Sequence, residues 1–378
     1  MILKSQIFKD VCSSILFAID SSTLATITDT LELVTVGKWL YLNVTNQEYF
    51  VSYKFELDHE EPFHATVNAT LFLKLINKIT TENIELLLEE RNMLIKGNGT
   101  YRIPFIVKED TGELLELPQI TIENKTQEFT IPTTVLSSIT DYNSKEISAV
   151  SMGKEIYNLY YIDQEGCITH SKSAACVNNF TLPQPVKFLL NDRIVKLFKL
   201  FKKESSVKFT LGYDPISETL IQTKVSFEVD HIKLTAIIRS DDTLLNQVPV
   251  AAIRSSANKT YPNNVILNKN EFLAAIERLT LFNSTDSNIK PYNTLKFDTE
   301  GKLTVYDSKN INFETLNYQP GTELSGEYEM RVDLADFKKI LDSTTDSLIS
   351  LNCGTTKSGV ISTLNVKNIF AEVKRETA

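Results

Sequence analysis

A unit made of an apolar strand, a polar cap, a helix and a second apolar strand occurs three times along the chain, and this repetition limits the possible folds most strongly. The caps are Asn68, Asn191 and Asp333, whose side chains accept hydrogen bonds from the free amides of a first helical turn. Apolar residues follow each cap at helical spacing. The three copies read FHATVNATLFLKLINKITTENIELLL, VKFLLNDRIVKLFKLFKKESSVKFTL and YEMRVDLADFKKILDSTTDSLISLN.

A further helix opens each unit, because apolar residues recur at helical spacing from residue 7 to 19, from 135 to 139 and from 272 to 279. Pro132 is placed for the first turn of the second of these helices. Turn signals at Gly97–Gly99 and Thr299–Gly301 predict hairpins between short alternating strands. The sequence therefore predicts an α+β chain of three tandem domains, each with two helices and antiparallel strands, over residues 1–126, 127–249 and 250–378.

Composition restricts the compartment and the class of protein. Cys12, Cys167, Cys176 and Cys353 are scattered without a Cys-x-x-Cys pair, which argues against a disulfide framework or a zinc site and favours a reducing cytoplasm. No secretory signal is visible, and no apolar run is long enough to cross a bilayer, so we expect no membrane partner.

Basic residues concentrate on the predicted helices although the chain carries a net charge of −9. The helix predicted over Asp192–Lys203 has apolar residues on one side and cations on the other, and the matching helices carry further cations. An amphipathic helix with a solvated back is the alternative. The bias in sign favours contact with DNA phosphates without base readout. The predicted DNA-facing residues are Lys9, Lys74, Lys78, Arg193, Lys196, Lys199, Lys202, Lys203, Lys269, Arg278, Lys338 and Lys339.

Candidate catalytic groups lack the required geometry, so we predict no enzyme and no cofactor. His59 and His64 lie five residues apart with Pro62 between them, whereas a zincin helix needs a spacing of four. His170 and Cys176 lie along one predicted strand without an orienting carboxylate. No Walker sequence is present, so any loading step driven by ATP would need a separate protein.

The repeat pattern resembles the bacterial beta sliding clamp, the beta subunit of DNA polymerase III, over essentially the whole chain. The third repeat is most similar, with FLAAIERLTLFNS, NTLKFDTEGKLTVYDSKNINFETLNY and GTELSGEYEMRVDLADFKKILDSTTDSLISLN in the family's order. The resemblance implies a head-to-tail homodimer that forms a ring around double-stranded DNA, is placed there by a clamp loader and tethers the replicative DNA polymerase. A structural protein of repeated α+β domains and a clamp paralogue that serves only as a binding hub are the alternatives.

The resemblance also implies a dimer interface and a pocket for partner peptides. The interface residues would be Ile103, Phe105, Leu281 and Phe282, unless these belong to the core. The pocket would be formed by Tyr157, Leu159, Thr169, Ser171, Lys172, Ser173, Ala174, Val248, Pro249, Ile369, Phe370 and Val373. Only Thr169 keeps the family's Thr-Asp-Gly-His-Arg-Leu-like wall, and the family's DNA-contacting arginine has no match around residues 21–23. These departures are typical of a diverged member, such as a phage-encoded one acting in a bacterial host.

Overall fold

The computed structural model describes residues 1–19, 26–146, 155–172, 174–213, 223–283, 291–354 and 358–371. The chain forms two compact units, Met1–Ser137 with Arg193–Ser240 and Ser138–Asp192 with Asp241–Ala378. Antiparallel sheets and short helices build both units, so the predicted α+β class is confirmed. The predicted domain boundaries after residues 126 and 249 stay a prediction.

The helices lie close to the predicted positions. Asn68 caps its helix by accepting from the Leu71 amide at 2.8 Å, and Asp333 accepts from the Ala335 amide at 2.9 Å, as the sequence predicts. Pro132 ends a strand immediately before its helix, whereas the prediction placed it in the first turn. The helices are α1 Ser5–Ile15, α2 Ala69–Lys78, α3 Thr133–Tyr142, α4 Asp192–Lys196, α5 Asp242–Leu245, α6 Val250–Ala257, α7 Lys269–Thr280 and α8 Leu334–Ser343.

The strands follow a threefold order: one strand, one helix, four strands, a second helix and three strands. They are β1 Ile2–Lys4, β2 Thr30–Val36, β3 Trp39–Thr45, β4 Tyr49–Glu56, β5 His64–Asn68, β6 Asn83–Leu88, β7 Asn92–Lys96, β8 Thr100–Pro104, β9 Asn124–Pro132, β10 Leu159–Asp163, β11 Gly166–His170, β12 Ala175–Asn179, β13 Lys187–Asn191, β14 Ser206–Tyr213, β15 Lys224–Glu228, β16 Ile232–Ile237, β17 Asn263–Asn268, β18 Asn293–Phe297, β19 Lys302–Tyr306, β20 Phe313–Asn317, β21 Tyr328–Val332, β22 Leu348–Cys353, β23 Ser358–Ser362 and β24 Val366–Ala371. Both predicted hairpin turns are confirmed, since β7 pairs with β8 and β18 pairs with β19.

Groups of four strands, which we call quartets, combine into the sheets. In the first unit the eight-stranded sheet has the order β5-β2-β3-β4-β16-β15-β14-β9, and β4 joins its two quartets by pairing with β16. In the second unit the order is β13-β10-β11-β12-β24-β23-β22-β17, and β12 joins the quartets by pairing with β24. Each unit also holds one separate quartet, β1-β6-β7-β8 in the first and β20-β19-β18-β21 in the second.

The helices of each unit pack through matching aromatic pairs. Phe8 of α1 and Phe72 of α2 meet edge to face with ring centroids 6.2 Å apart, and Phe272 of α7 and Phe337 of α8 meet in the same way at 6.2 Å. All four rings are at most 1% exposed. Because the apolar faces of the helices are buried, their polar faces are the ones left for solvent or a ligand.

Candidate functional site

The predicted DNA-facing residues of the first unit lie on neighbouring elements. Helix α1 packs against α2, and the 3-10 turn Leu16–Ala18 contacts both α2 and the 3-10 turn Leu197–Phe201. Their cations are exposed, except for Lys9, which is half-buried. The elements of this unit therefore bring together Lys9, Lys74, Lys78, Arg193, Lys196, Lys199, Lys202 and Lys203.

The predicted helix over Asp192–Lys203 is shorter than expected. It consists of α4, the 3-10 turn Leu197–Phe201 and a bend. Apolar burial is nevertheless as predicted, because Ile194, Phe198 and Phe201 are at most 3% exposed. Phe198 and Phe201 pack on Phe227 of the sheet, with centroids 4.9 and 6.4 Å away. The lysines between these anchors are consequently left on the outside.

The two units differ in how their basic residues are paired. Within the described part of the first unit, Lys199, Lys202 and Lys203 have no carboxylate within 4 Å, and the same holds for Lys9, Lys74 and Lys78. Arg193 reaches Glu48 only at 3.9 Å. An unpaired exposed lysine keeps its full charge available to an anion, so the predicted DNA-facing cations of the first unit are less neutralised than those of the second.

In the second unit the predicted cations are largely neutralised. Arg278 forms a forked ion pair with Glu314, at 2.7 and 2.6 Å, and Lys338 contacts Glu277 at 2.5 Å and Asp342 at 3.4 Å. Lys339 lies 3.4 Å from Asp336, and Lys269 donates to the carbonyl of Thr344. Arg278 links α7 to β20, and Lys338 links α8 to α7. The spacing of residues along one helix does not reveal these contacts.

The predicted interface residues divide into core and surface. Ile103 on β8 is 2% exposed, which agrees with the core alternative, and Phe105 is half-buried. Leu281 and Phe282 follow α7 and are 80% and 53% exposed. Large apolar side chains so exposed are typical of surfaces that a partner covers. The assignment of these residues to a dimer interface stays a prediction.

Two adjoining hollows in the second unit contain seven of the twelve predicted pocket residues. The first, of about 360 Å³, is lined by Ser171, Lys172, Ala174, Pro249, Ile369 and Phe370 of the predicted set. The second, of about 410 Å³, is lined by Tyr157, Ser171, Lys172 and Pro249 of that set. We call these the first and second hollows; they share the segment His170–Lys172 and Pro249.

The other predicted pocket residues lie elsewhere. Leu159 belongs to the apolar cluster beneath the hollows, and Val248 lines a third recess beside Tyr161. Thr169 is fully buried, and its hydroxyl donates to the carbonyl of Asn143 at 3.1 Å. Neighbouring strand residues point to opposite faces, so His170 faces the hollows and Thr169 does not. Ser173, Val373 and the segment around residues 21–23 lie outside the described residues.

Sequence reasoning missed the wall supplied by α6. The predicted domain boundary after residue 249 falls between two helices, α5 and α6. Ala252, Ile253 and Ser256 of α6 line the first hollow. A signal was present, since Val250, Ile253 and Ala257 recur at helical spacing after Pro249.

Arg254 fixes α6 to the sheet. Its guanidinium contacts Asp163 at 2.6 Å and Glu165 at 2.9 Å, and both acids lie in the β10–β11 hairpin. Nearby Tyr161 lines the third recess, and burial together with Asp163 raises the pKa of Tyr161 to about 12. The phenol therefore remains neutral at any physiological pH.

His170, at the end of β11, is 7% exposed and lines both hollows. Its Nδ1 lies 3.4 Å from the carbonyl oxygen of Ser171, and the ring of Tyr157 meets it edge to face at 5.2 Å. Its Nε2 is buried and has no hydrogen-bond partner among the residues that the structure describes. Burial lowers the pKa of His170, so the imidazole is neutral at pH 7.

The described residues contain no group of acids, histidines or cysteines that could hold a metal ion. His64 contacts Glu32 at 3.3 Å, whereas His59 lies 3.8 Å from Glu61. Burial raises the pKa of the Cys12 and Cys167 thiols, which disfavours the nucleophilic thiolate. Among the helices that the structure describes, none is long and apolar enough to span a membrane.

No protein-family model matches the sequence, and no curated protein matches it either. Solved structures do match, and they define the class: the chain has the fold of DNA polymerase sliding clamps. It is similar to the beta subunit of DNA polymerase III from Thermotoga maritima, with a TM-score of 0.80, 13% identity and 99% of both chains covered. The predicted resemblance to the beta subunit is therefore confirmed for the fold.

Two further structures are similar over the same length. The Bacillus subtilis sliding clamp gives a TM-score of 0.77 at 14% identity, over 99% of this chain and 98% of that one. The Pseudomonas aeruginosa clamp bound to griselimycin gives 0.80 at 12% identity, over 99% of both chains. A likeness that extends along the whole chain at such low identity is a property of the fold rather than of particular side chains.

Proposed function

We propose that this protein is a DNA sliding clamp, a ring that encircles duplex DNA and tethers a replicative DNA polymerase to it. The observation that carries the proposal is the structural likeness to sliding clamps over 99% of the chain at a TM-score of 0.80. The protein acts as a scaffold and not as an enzyme. It works where replication takes place, in the cytoplasm of a bacterium or of an infected bacterial host.

The DNA contact is electrostatic and blind to sequence. Lys199 lies in the 3-10 turn Leu197–Phe201, and Lys202 and Lys203 directly follow it. All three are exposed and have no carboxylate within 4 Å in the described structure. Lysines that meet only phosphates position a duplex without reading its bases, which lets a ring slide. The paired cations of the second unit contribute less to this contact.

Ring closure follows the pattern of the quartets. Within the chain, the last strand of the second repeat, β16, pairs with β4, the third of the four consecutive strands of the first repeat. In the same way, the last strand of the third repeat, β24, pairs with β12, the third of the four consecutive strands of the second repeat. Two strands in these positions remain: β8 is the last strand of the first repeat, and β20 is the third of the four consecutive strands of the third repeat. Both are end strands of their sheets. We infer that β8 of one copy pairs with β20 of another, head to tail, and that two copies close the ring.

Apolar surface near these end strands supports the same interface. Ile311 and Phe313, at the start of β20, are 70% and 59% exposed, and Leu281 is 80% exposed. An unpaired end strand with apolar flanks is a template for pairing with another chain. In the closed ring Leu281 and Phe282 would be covered together with Phe105 of the other copy.

The two hollows receive short peptide segments of the polymerase, the clamp loader and other factors. Apolar lining from Ile369, Phe370 and α6 suits an aliphatic or aromatic anchor. Among the described lining residues, Lys172 carries the one full charge. Loading would need a separate ATP-driven protein, as the sequence predicts.

The decisive test measures mass and topology on one sample. Light scattering should give twice the chain mass of 42.8 kDa. After incubation with a clamp loader, the protein should stay on nicked circular DNA and be lost when that DNA is linearised. A monomer that is retained on neither template would contradict the proposal and favour the alternative of a structural protein.

Charge reversal tests the DNA surface. Lys199→Glu with Lys203→Glu should weaken binding to linear duplex by at least tenfold and leave the dimer mass unchanged. The matched control reverses Lys38 and Lys259, two exposed lysines outside the basic helices. Equal binding by both double variants would remove the first unit from the DNA contact.

A further inference from the structure

A residue that lines the second hollow, His170, carries a polar atom that nothing in the described structure satisfies. His170 Nε2 is buried without a partner, whereas its Nδ1 faces the carbonyl oxygen of Ser171 at 3.4 Å. A carbonyl oxygen only accepts, so the proton of the neutral ring lies on Nδ1 and Nε2 carries the lone pair. A buried acceptor without a donor is unfavourable until a donor reaches it.

Tyr157 packs against the imidazole that carries this acceptor. Its ring packs edge to face on the imidazole, with the centroids 5.2 Å apart and the planes at 88°, and both side chains line the second hollow. Tyr157 lies in the short 3-10 turn Glu155–Asn158 and is only partly buried. We infer that a ligand in the hollow reaches Nε2 when this side chain turns aside.

We propose that His170 sets the specificity of the peptide site by accepting a hydrogen bond from a donor side chain of the bound segment. The favoured segment carries an apolar anchor for the first hollow and, next to it, an uncharged donor such as Gln, Asn, Ser or Thr. Lysine and arginine are disfavoured there, because Lys172 lies at both hollows and the lining residues that the structure describes include no carboxylate. This inference rests on the proposed use of the hollows as a peptide site.

A selection with random dodecapeptides displayed on phage tests the inference with the full-length dimer. Wild-type protein should select one fixed position rich in Gln, Asn, Ser or Thr beside an apolar position. A synthetic consensus peptide should bind about tenfold more tightly than its isostere without the donor, for example with Ser replaced by Ala or Thr by Val. This comparison needs no variant of the protein.

Two variants locate the donor preference at His170. His170→Met removes the acceptor and should reduce the preference for the consensus peptide over its isostere to less than about twofold. His170→Gln retains an acceptor oxygen and should keep most of the preference. Thermal unfolding and dimer mass are measured for both, so that a folding defect is recognised.

The outcomes separate this inference from the proposed function. Two results would overturn the role of His170 alone. In the first, the selected peptides compete for the hollows but share no donor position. In the second, the preference for the donor peptide over its isostere survives in His170→Met. If no selected peptide binds, or if the selected peptides still bind after Pro249→Glu and Ile369→Glu, the proposed peptide site itself fails.

Discussion

At the scale of single residues, Arg254 links α6, one wall of the first hollow, to the sheet. Its guanidinium is 21% exposed and bridges Asp163 and Glu165, so α6 and the β10–β11 hairpin are held together. A charge-assisted pair in a partly buried place contributes more than an exposed one, because solvent screens it less.

We predict that Arg254→Met lowers the free energy of unfolding by about 1–3 kcal/mol and weakens binding of peptides to the hollows. The physical reason is that Asp163 loses its partner while α6 loses its anchor. Urea denaturation and calorimetric titration measure the two effects. Arg91→Met, at an exposed arginine outside any described ion pair, should change stability by less than about 0.5 kcal/mol.

Asp307 is a second residue with a measurable role. It is 1% exposed and accepts hydrogen bonds from the amides of Lys309, Ile311 and Asn312 and from the Asn312 side chain. Burial by itself raises its pKa, but these hydrogen bonds outweigh burial, so the pKa of Asp307 in the folded protein is lower than usual. The carboxylate thereby shapes the loop that leads into β20.

A lowered folded pKa stabilises the protein above the unfolded pKa of about 4, and this contribution is lost as the pH falls through the lower folded value. We predict that Asp307→Asn is less stable at pH 7 and loses less stability than wild type between pH 5 and pH 2. Denaturation at a series of pH values measures this. Asp58→Asn, at an exposed acid, should follow the wild-type curve.

At the scale of secondary structure, the proposed pairing of β20 with another copy of the chain can be tested without disturbing the sheet to which β20 belongs. The backbone amide of Asp307 donates to the carbonyl of Asn312, and the amide of Tyr318 donates to the carbonyl of Gly301. Hydrogen-bonded and non-hydrogen-bonded pairs alternate along an antiparallel ladder. The Thr304–Thr315 pair is consequently a non-hydrogen-bonded one, and the amide of Thr315 faces the open side of β20.

We predict that Thr315→Pro abolishes the dimer while the fold is kept, because proline removes an outward donor and is tolerated on end strands. Thr315→Val, which keeps the amide, should remain dimeric. Sedimentation gives the mass, and circular dichroism reports the fold. A dimeric Thr315→Pro variant would exclude β20 from the interface.

At the scale of the whole molecule, topological linkage and electrostatic contact respond differently to salt. Phosphate contacts weaken steeply as the salt concentration rises, because the release of counterions from the DNA then contributes less free energy to binding. Linkage of a ring to a closed circle does not depend on charge.

We therefore predict that raising salt from about 50 to 200 mM removes the protein from linear DNA while loaded protein stays on circles. Gel filtration of the protein with each template measures retention. Parallel loss from both templates would mean that the contact is only electrostatic.

The sequence alone determined the features that depend on local chemistry. Helices, caps and hairpins follow from side-chain period and from Asn68, Asp333 and the glycine turns, because these interactions span a few neighbouring residues. The threefold order of elements and the α+β class follow from their repetition. Exposed lysines on the helices were predicted for the same reason, since burying Phe198 and Phe201 leaves the other face outside.

Only the tertiary structure decided which of these residues act together. The pairing of β4 with β16, the ion pair of Arg278 with Glu314 and the ion pair of Arg254 with Asp163 join residues 36 to 187 positions apart, which no local pattern encodes. The tertiary structure also decided that His170 lines the hollows whereas its neighbour Thr169 does not. Strand alternation fixes that two neighbours face apart, but only packing decides which face becomes a site.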